Sequence, residues 1–209
     1  MNITFIFFLG LIVALIGVIP PGLLNMTAAK ISLKEGHARG IMFSIGVCFI
    51  VFVQTYIAAI FARYLSNHAE VIDVLQRVAF VIFVLITIYY LFIAKKQTKT
   101  HIQPQIRSKH SRFFQGVFLS SINVFPIPFQ AYITITLASF GWLDFSTTSI
   151  ISYVSGAGMG TFVMLYVYIF FFDKIKNDAI TSQKSMNFII GIITGVISIV
   201  TLVNIIKEL

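Results

Sequence analysis

Two proline pairs interrupt otherwise continuous apolar stretches: Pro20-Pro21, followed by Gly22, and Pro126 with Pro128. Proline removes a backbone donor and clashes with the preceding turn. In lipid such a break is tolerated only where the freed groups find partners or line a cavity. Asn25, Thr27, Gln54, Ser120, Ser121, Asn123 and Gln130 lie near these breaks. The chemistry this set supports is binding rather than bond-making. A helix beginning at Pro21 turns its positive N-terminal end into the membrane, which suits an anionic group such as a carboxylate. Asn and Gln amides can fix the polar remainder of a small solute. The candidate substrate-binding residues are therefore Pro20, Pro21, Gly22, Asn25, Gln54, Asn123, Pro126, Pro128 and Gln130. For any one amide the plainer role is an interhelical hydrogen bond, worth about 0.6 kcal/mol. Asp73 and Arg77, beside Gln76, form a candidate gating or coupling pair, with a boundary salt bridge as the plainer reading.

Catalysis has little to work with. No His-Glu-x-x-His or Gly-x-Ser-x-Gly occurs, and no carboxylate pair lies within an apolar stretch. The chain holds four His and seven acidic residues, all outside these stretches or at their ends. His101 and His110 sit in a basic segment with no Cys or carboxylate to complete a metal site. The lone Cys48 excludes an internal disulfide and a dithiol carrier, and reads as a packing residue. An enzyme is disfavoured, and no metal or cofactor is expected.

The elements that must position these residues follow from composition. Of 209 residues 58% are hydrophobic and 11% charged, against about 25% charged in soluble domains. Water cannot solvate so apolar a surface, and lipid can. A membrane-crossing helix needs about 20 apolar residues, and charged residues bound six such intervals: 1–29, 40–62, 78–94, 113–143, 145–172 and 185–206. The amino terminus lacks a basic n-region and a cleavage site, so the first interval reads as a span rather than a signal peptide. At ~1.5 Å per residue, the first break falls about 25 Å from Ile3 and the second about 20 Å from Arg112, both mid-crossing.

Twelve of the fifteen Lys and Arg residues fall in the segments after spans one, three and five. Basic loops face the cytosol, so both termini are expected outside, and the formal charge of +8 reflects topology rather than nucleic-acid binding. The predicted fold class is all-α: an integral membrane bundle of six transmembrane helices. A single transmembrane domain, 1–209, divides into a three-helix half (1–94), a basic cytosolic loop (95–112) and a second three-helix half (113–209). Three spans per half make the halves run in opposite directions, with the proline-broken helix first in each. This is the arrangement of inverted-repeat transporters, whose substrate site lies at the midplane. Gly40, Gly46, Gly156, Gly158 and Gly160 would let helices approach closely.

With those residues in hand, the chain resembles the LysE-type family of amino-acid exporters. Pro21-Gly22 begins the family's Pro-Gly-Pro pattern, Asn25 takes its Asn place, and Gly36-His37-Ala38-Arg39-Gly40 supplies its glycine pair. Phe114-Gln115-Gly116 followed by Asn123 looks like the second signature, and Gly156 to Gly160 resembles the fifth-span glycines. The chain departs from the pattern at Leu23, where the second proline belongs, at Val124, and at Val51, where some members carry an acidic residue. The resemblance implies export of amino acids or related small metabolites across a bacterial cytoplasmic membrane, driven by the membrane potential or a proton gradient. Spans two, four, five and six contain no Asp, Glu, Lys or Arg, which argues against a dedicated proton-binding carboxylate. The expected partners are a small-molecule substrate and membrane lipid, and a homodimer is compatible with such a bundle. The competing readings are export of another small solute or ion, and a membrane scaffold using Gly191 to Gly195 as a helix-association face.

Overall fold

The structure is a computed structural model that describes residues 2–19, 22–68 and 108–175 continuously, together with 77, 80–82, 84–93 and scattered positions between 188 and 206. All regular structure among the described residues is helical: α1 (Ile3–Val18), α2 (Leu23–Glu35), α3 (His37–Ser66), α4 (Phe80–Ile93), α5 (Lys109–Ile122), α6 (Pro126–Ser139) and α7 (Thr147–Ile175). Two helices, α3 and α7, are long and apolar enough to cross a bilayer alone. Two bent pairs, α1 with α2 and α5 with α6, bring the candidate spans to four if each pair is one span. The bends are 79° and 65°, the geometry of a broken span or a re-entrant loop. Span three is described only as the shorter α4, and span six only by helical positions from 188 to 206.

The helix ends are written in local chemistry. The Asn2 side chain accepts from Thr4 N–H at 3.0 Å and caps α1. Ser108 does the same for α5, accepting from Ser111 N–H at 3.1 Å. α1 stops two residues before Pro20, and α6 starts on Pro126, whose fixed φ and missing N–H suit the first helical position. Gly36 alone separates α2 from α3 with φ of 93°, a conformation that favours glycine. α5 already begins at Lys109, so the last residues of the segment read as a cytosolic loop, 95–112, are helical.

The chain forms two compact units, each discontinuous in sequence: Met1–Ser66 with Gln103–Ile175, and Asn67–Ile102 with Lys176–Leu209. Helices from 1–94 pack on helices from 113–209 in the first of these. In the first unit α3 and α7 pack together through Ala59, Ile150 and Val154. α1 lies along α7 and α5 along α3. Glycine makes both approaches possible. A Cβ on Gly10 would overlap the Tyr153 carbonyl, and one on Gly156 would overlap that of Phe7. Likewise a Cβ on Gly116 would overlap the Phe43 carbonyl, and one on Gly46 that of Phe113. The two seams are built alike, glycine against backbone in both directions.

In the second unit, Gly191 and Gly195 lie against Leu91 and Thr87 of α4. The glycine face considered for an outside partner is thus covered from within that unit.

Candidate functional site: two broken helices

Each bend leaves carbonyls at the end of its first helix without the N–H that a continuing helix would supply. The structure supplies substitutes from buried side chains. At the first bend, Asn25 Nδ2 donates to the Val18 carbonyl at 2.7 Å. The Tyr168 hydroxyl, reaching in from α7, donates to the Ile19 carbonyl at 2.7 Å. At the second bend, Gln54 Nε2 reaches from α3 and donates to the carbonyls of Ser120 at 3.1 Å and Asn123 at 2.9 Å. An unsatisfied backbone group in hydrocarbon costs several kcal/mol, so these three side chains make the bends tolerable. The two bends also adjoin: the Phe129 ring of α6 lies 3.1 Å from where a Cβ on Gly17 of α1 would stand.

The bends differ in the donors they keep. Gly22 begins α2 in extended conformation with no side-chain cap, and the N–H groups of Leu23 and Leu24 have no intrahelical acceptor. In α6, Pro126 and Pro128 have no N–H. Ile127 N–H goes to the Val124 carbonyl at 3.1 Å, and Phe129 N–H to Phe125 at 3.4 Å. The first bend therefore opens its second helix on N–H groups with no side-chain cap, and the second presents acceptors almost alone. Gln54 Oε1 sharpens that asymmetry, being buried with no hydrogen-bond partner among the described residues.

Of the residues singled out from sequence, Gly22 and Asn25 come together at the first bend, and Gln54, Asn123, Pro126 and Pro128 at the second. Pro20, Pro21 and Asp73 lie outside the described residues, and Arg77 is helical and exposed. Gln130 is engaged elsewhere: its Oε1 accepts from the fully buried Tyr153 hydroxyl at 2.7 Å, locking α6 to α7. Thr27 and Ser121 bond back to the carbonyls of Leu23 and Val117 in their own helices.

Sequence reasoning did not single out Tyr168, Tyr153 or the pair Glu35 and Arg112. Arg112 Nε donates to Glu35 Oε2 at 2.9 Å, its Nη2 to Glu35 Oε1, and its Nη1 to Gln115 Oε1. The paired side chains are only 10% and 4% exposed, so this two-pronged bridge is a buried tie between the end of α2 and the start of α5. Its signal in the sequence was faint: one acid amid basic residues, and one arginine on the edge of an apolar run. Among the described residues no three of His, Cys, Asp and Glu come together as metal ligands.

No family model, curated protein or solved structure matches the chain. The likeness to LysE-type exporters therefore rests on its motif residues.

Proposed function

We propose that this protein is a secondary carrier of the LysE type, exporting amino acids or related small metabolites across a bacterial cytoplasmic membrane by alternating access. The observation that carries this reading is the reciprocal construction of the first unit. α1 and α5 each end in a bend, each packs on the long helix of the other half through paired glycines, and each bend is stitched by a buried polar side chain from that partner helix. Reciprocity of that kind is what two inverted repeats would produce, and their bends would meet where a substrate sits. Six spans with both termini outside complete the proposed topology. The scaffold alternative loses its main support, since Gly191 and Gly195 are already occupied by α4.

The test is efflux from cells preloaded with a labelled amino-acid mixture, with and without the protein expressed. Selective loss of one class is expected. Inserted protein that moves nothing, in cells and in liposomes under imposed gradients, overturns the reading.

A further inference from the structure

We propose that the bend between α5 and α6 is a cation subsite, built to take an ammonium group or a bare monovalent ion on Gln54 Oε1 and the carbonyls beside it. The inference deepens the carrier reading by giving the substrate a positive group and a place for it, and it rests on that reading only for the identity of the ligand.

The argument is a balance of donors against acceptors. Gln54 is 5% exposed, and both hydrogens of its Nε2 are committed to the carbonyls of Ser120 and Asn123. Those two bonds fix the amide's orientation, because reversing it would set an oxygen against two carbonyl oxygens. The fixed orientation leaves Oε1 buried with no donor among the described residues. Leaving a buried acceptor unmade costs about 1–3 kcal/mol, so an amide held this way has a reason beyond packing. The Ser120 carbonyl also accepts from Asn123 N–H at 3.1 Å, so of the two carbonyls the amide serves, that of Asn123 has a second lone pair to offer. Pro126 removes the N–H that would have served the Ile122 carbonyl, four residues earlier. The C-terminal end of α5 adds the negative pole of its dipole at the same point. A cluster of oxygens with no carboxylate among them, at the end of a broken helix, is the setting in which unwound carbonyls hold cations. An anion is disfavoured here because α6 begins with no free N–H to offer. The first bend, with its uncapped N–H groups, has the opposite preference, so a zwitterion would find one partner at each.

The test uses the purified full chain in detergent, with thermal unfolding as readout. Methylammonium chloride and sodium chloride are titrated separately against choline chloride at constant ionic strength, because choline is cationic but has no N–H and is too large for the subsite. A rise in Tm of about 2–4 °C with methylammonium alone identifies an ammonium subsite, and the same rise with sodium identifies an ion subsite. Either rise should vanish in Gln54→Met, which keeps the length of the side chain and removes its acceptor. No rise with either salt, or an equal rise in Gln54→Met, overturns the proposal, since an internal water would then suffice. Transport separates this result from the carrier reading. If an amino acid and its des-amino acid analogue are exported equally, the subsite fails while the carrier stands. If a Gln54-dependent rise occurs with no transport of any amino acid, the subsite stands and the carrier fails.

Discussion

The two bends solve one backbone problem in opposite ways. At the first, two separate donors, Asn25 and Tyr168, each serve one carbonyl, and the following helix opens with Gly22 and uncapped N–H groups. At the second, one amide serves two carbonyls, and the following helix opens with prolines that withhold N–H groups. The difference is chemical rather than architectural, because the glycine seams that position the bends are alike. Two elements of similar shape thus acquire opposite local polarity from a handful of residues, which gives a small solute with two unlike ends a reason to lie one way round.

The comparison is most strongly challenged at the tie between the two bent elements. Arg112 and Glu35 link the end of α2 to the start of α5 while almost withdrawn from water. Removing one partner strands a buried charge, so Arg112→Ala or Glu35→Ala should each lower stability by about 3–5 kcal/mol. The exchanged pair, Glu35→Arg with Arg112→Glu, should recover part of that loss. Thermal unfolding in detergent reads both. Single variants as stable as the parent would mean the pair is solvated and ties nothing.

Next in size are the seams. Alanine at Gly156 or Gly46 places a methyl group in a backbone carbonyl and should cost about 1–3 kcal/mol or more at each. Gly158→Ala should be nearly silent, since its nearest neighbour, the Phe52 ring, stands 3.9 Å away. Matched losses at Gly156 and Gly46 sharpen the likeness of the two seams. A loss at one with tolerance at the other would break it, and with it the support for a repeat.

Much of this was legible in the sequence. The proline pairs mark both bends, and Gly46, Gly156 and Gly160 stood out as places of close approach. What periodicity and charge could not supply was direction. Nothing in the residues near 20 tells that the chain turns by 79°, because a proline ends a helix without aiming the next one. Gln130 has the type and position of a ligand-binding amide, but Tyr153, distant in sequence, claims it. Arg112 reads as the edge of a basic loop until its partner Glu35, seventy-seven residues away, is brought beside it. Tertiary partners of this kind leave no local trace.

Smaller effects test the stitching itself. Tyr168→Phe removes the hydroxyl from the Ile19 carbonyl, whereas Gln54→Met removes two hydrogen bonds, stripping the Asn123 carbonyl and leaving that of Ser120 with Asn123 N–H alone. Losses of about 1 kcal/mol for the first and about 2 kcal/mol for the second are expected, from the usual net worth of one and of two hydrogen bonds. The opposite order in thermal unfolding would show that the second bend relies on its prolines rather than on Gln54.

The smallest effect lies outside the bends, in how each half joins its bent element to its long helix. Gly36 alone makes the join from α2 to α3, whereas residues 140–146 make the join from α6 to α7. In the longer join Asp144 Oδ1 accepts from the Ser146 hydroxyl at 2.5 Å and from the Ser146 N–H at 3.1 Å. Ser146 also caps α7, its Oγ accepting from Ser149 N–H at 3.4 Å. These hydrogen bonds, with that to the Ser146 side chain foremost, hold the Asp144 carboxyl below its ordinary pKa. A carboxylate whose folded pKa is depressed adds stability that is fully present above its unfolded value, near 3.9. That stability is lost as pH falls through the lower folded value. Because Asp144 is exposed, the effect is small. Asp144→Asn should unfold slightly earlier than the parent at pH 6, and the gap should close toward pH 3. A gap that persists or widens at pH 3 would assign the effect to packing in the loop rather than to charge.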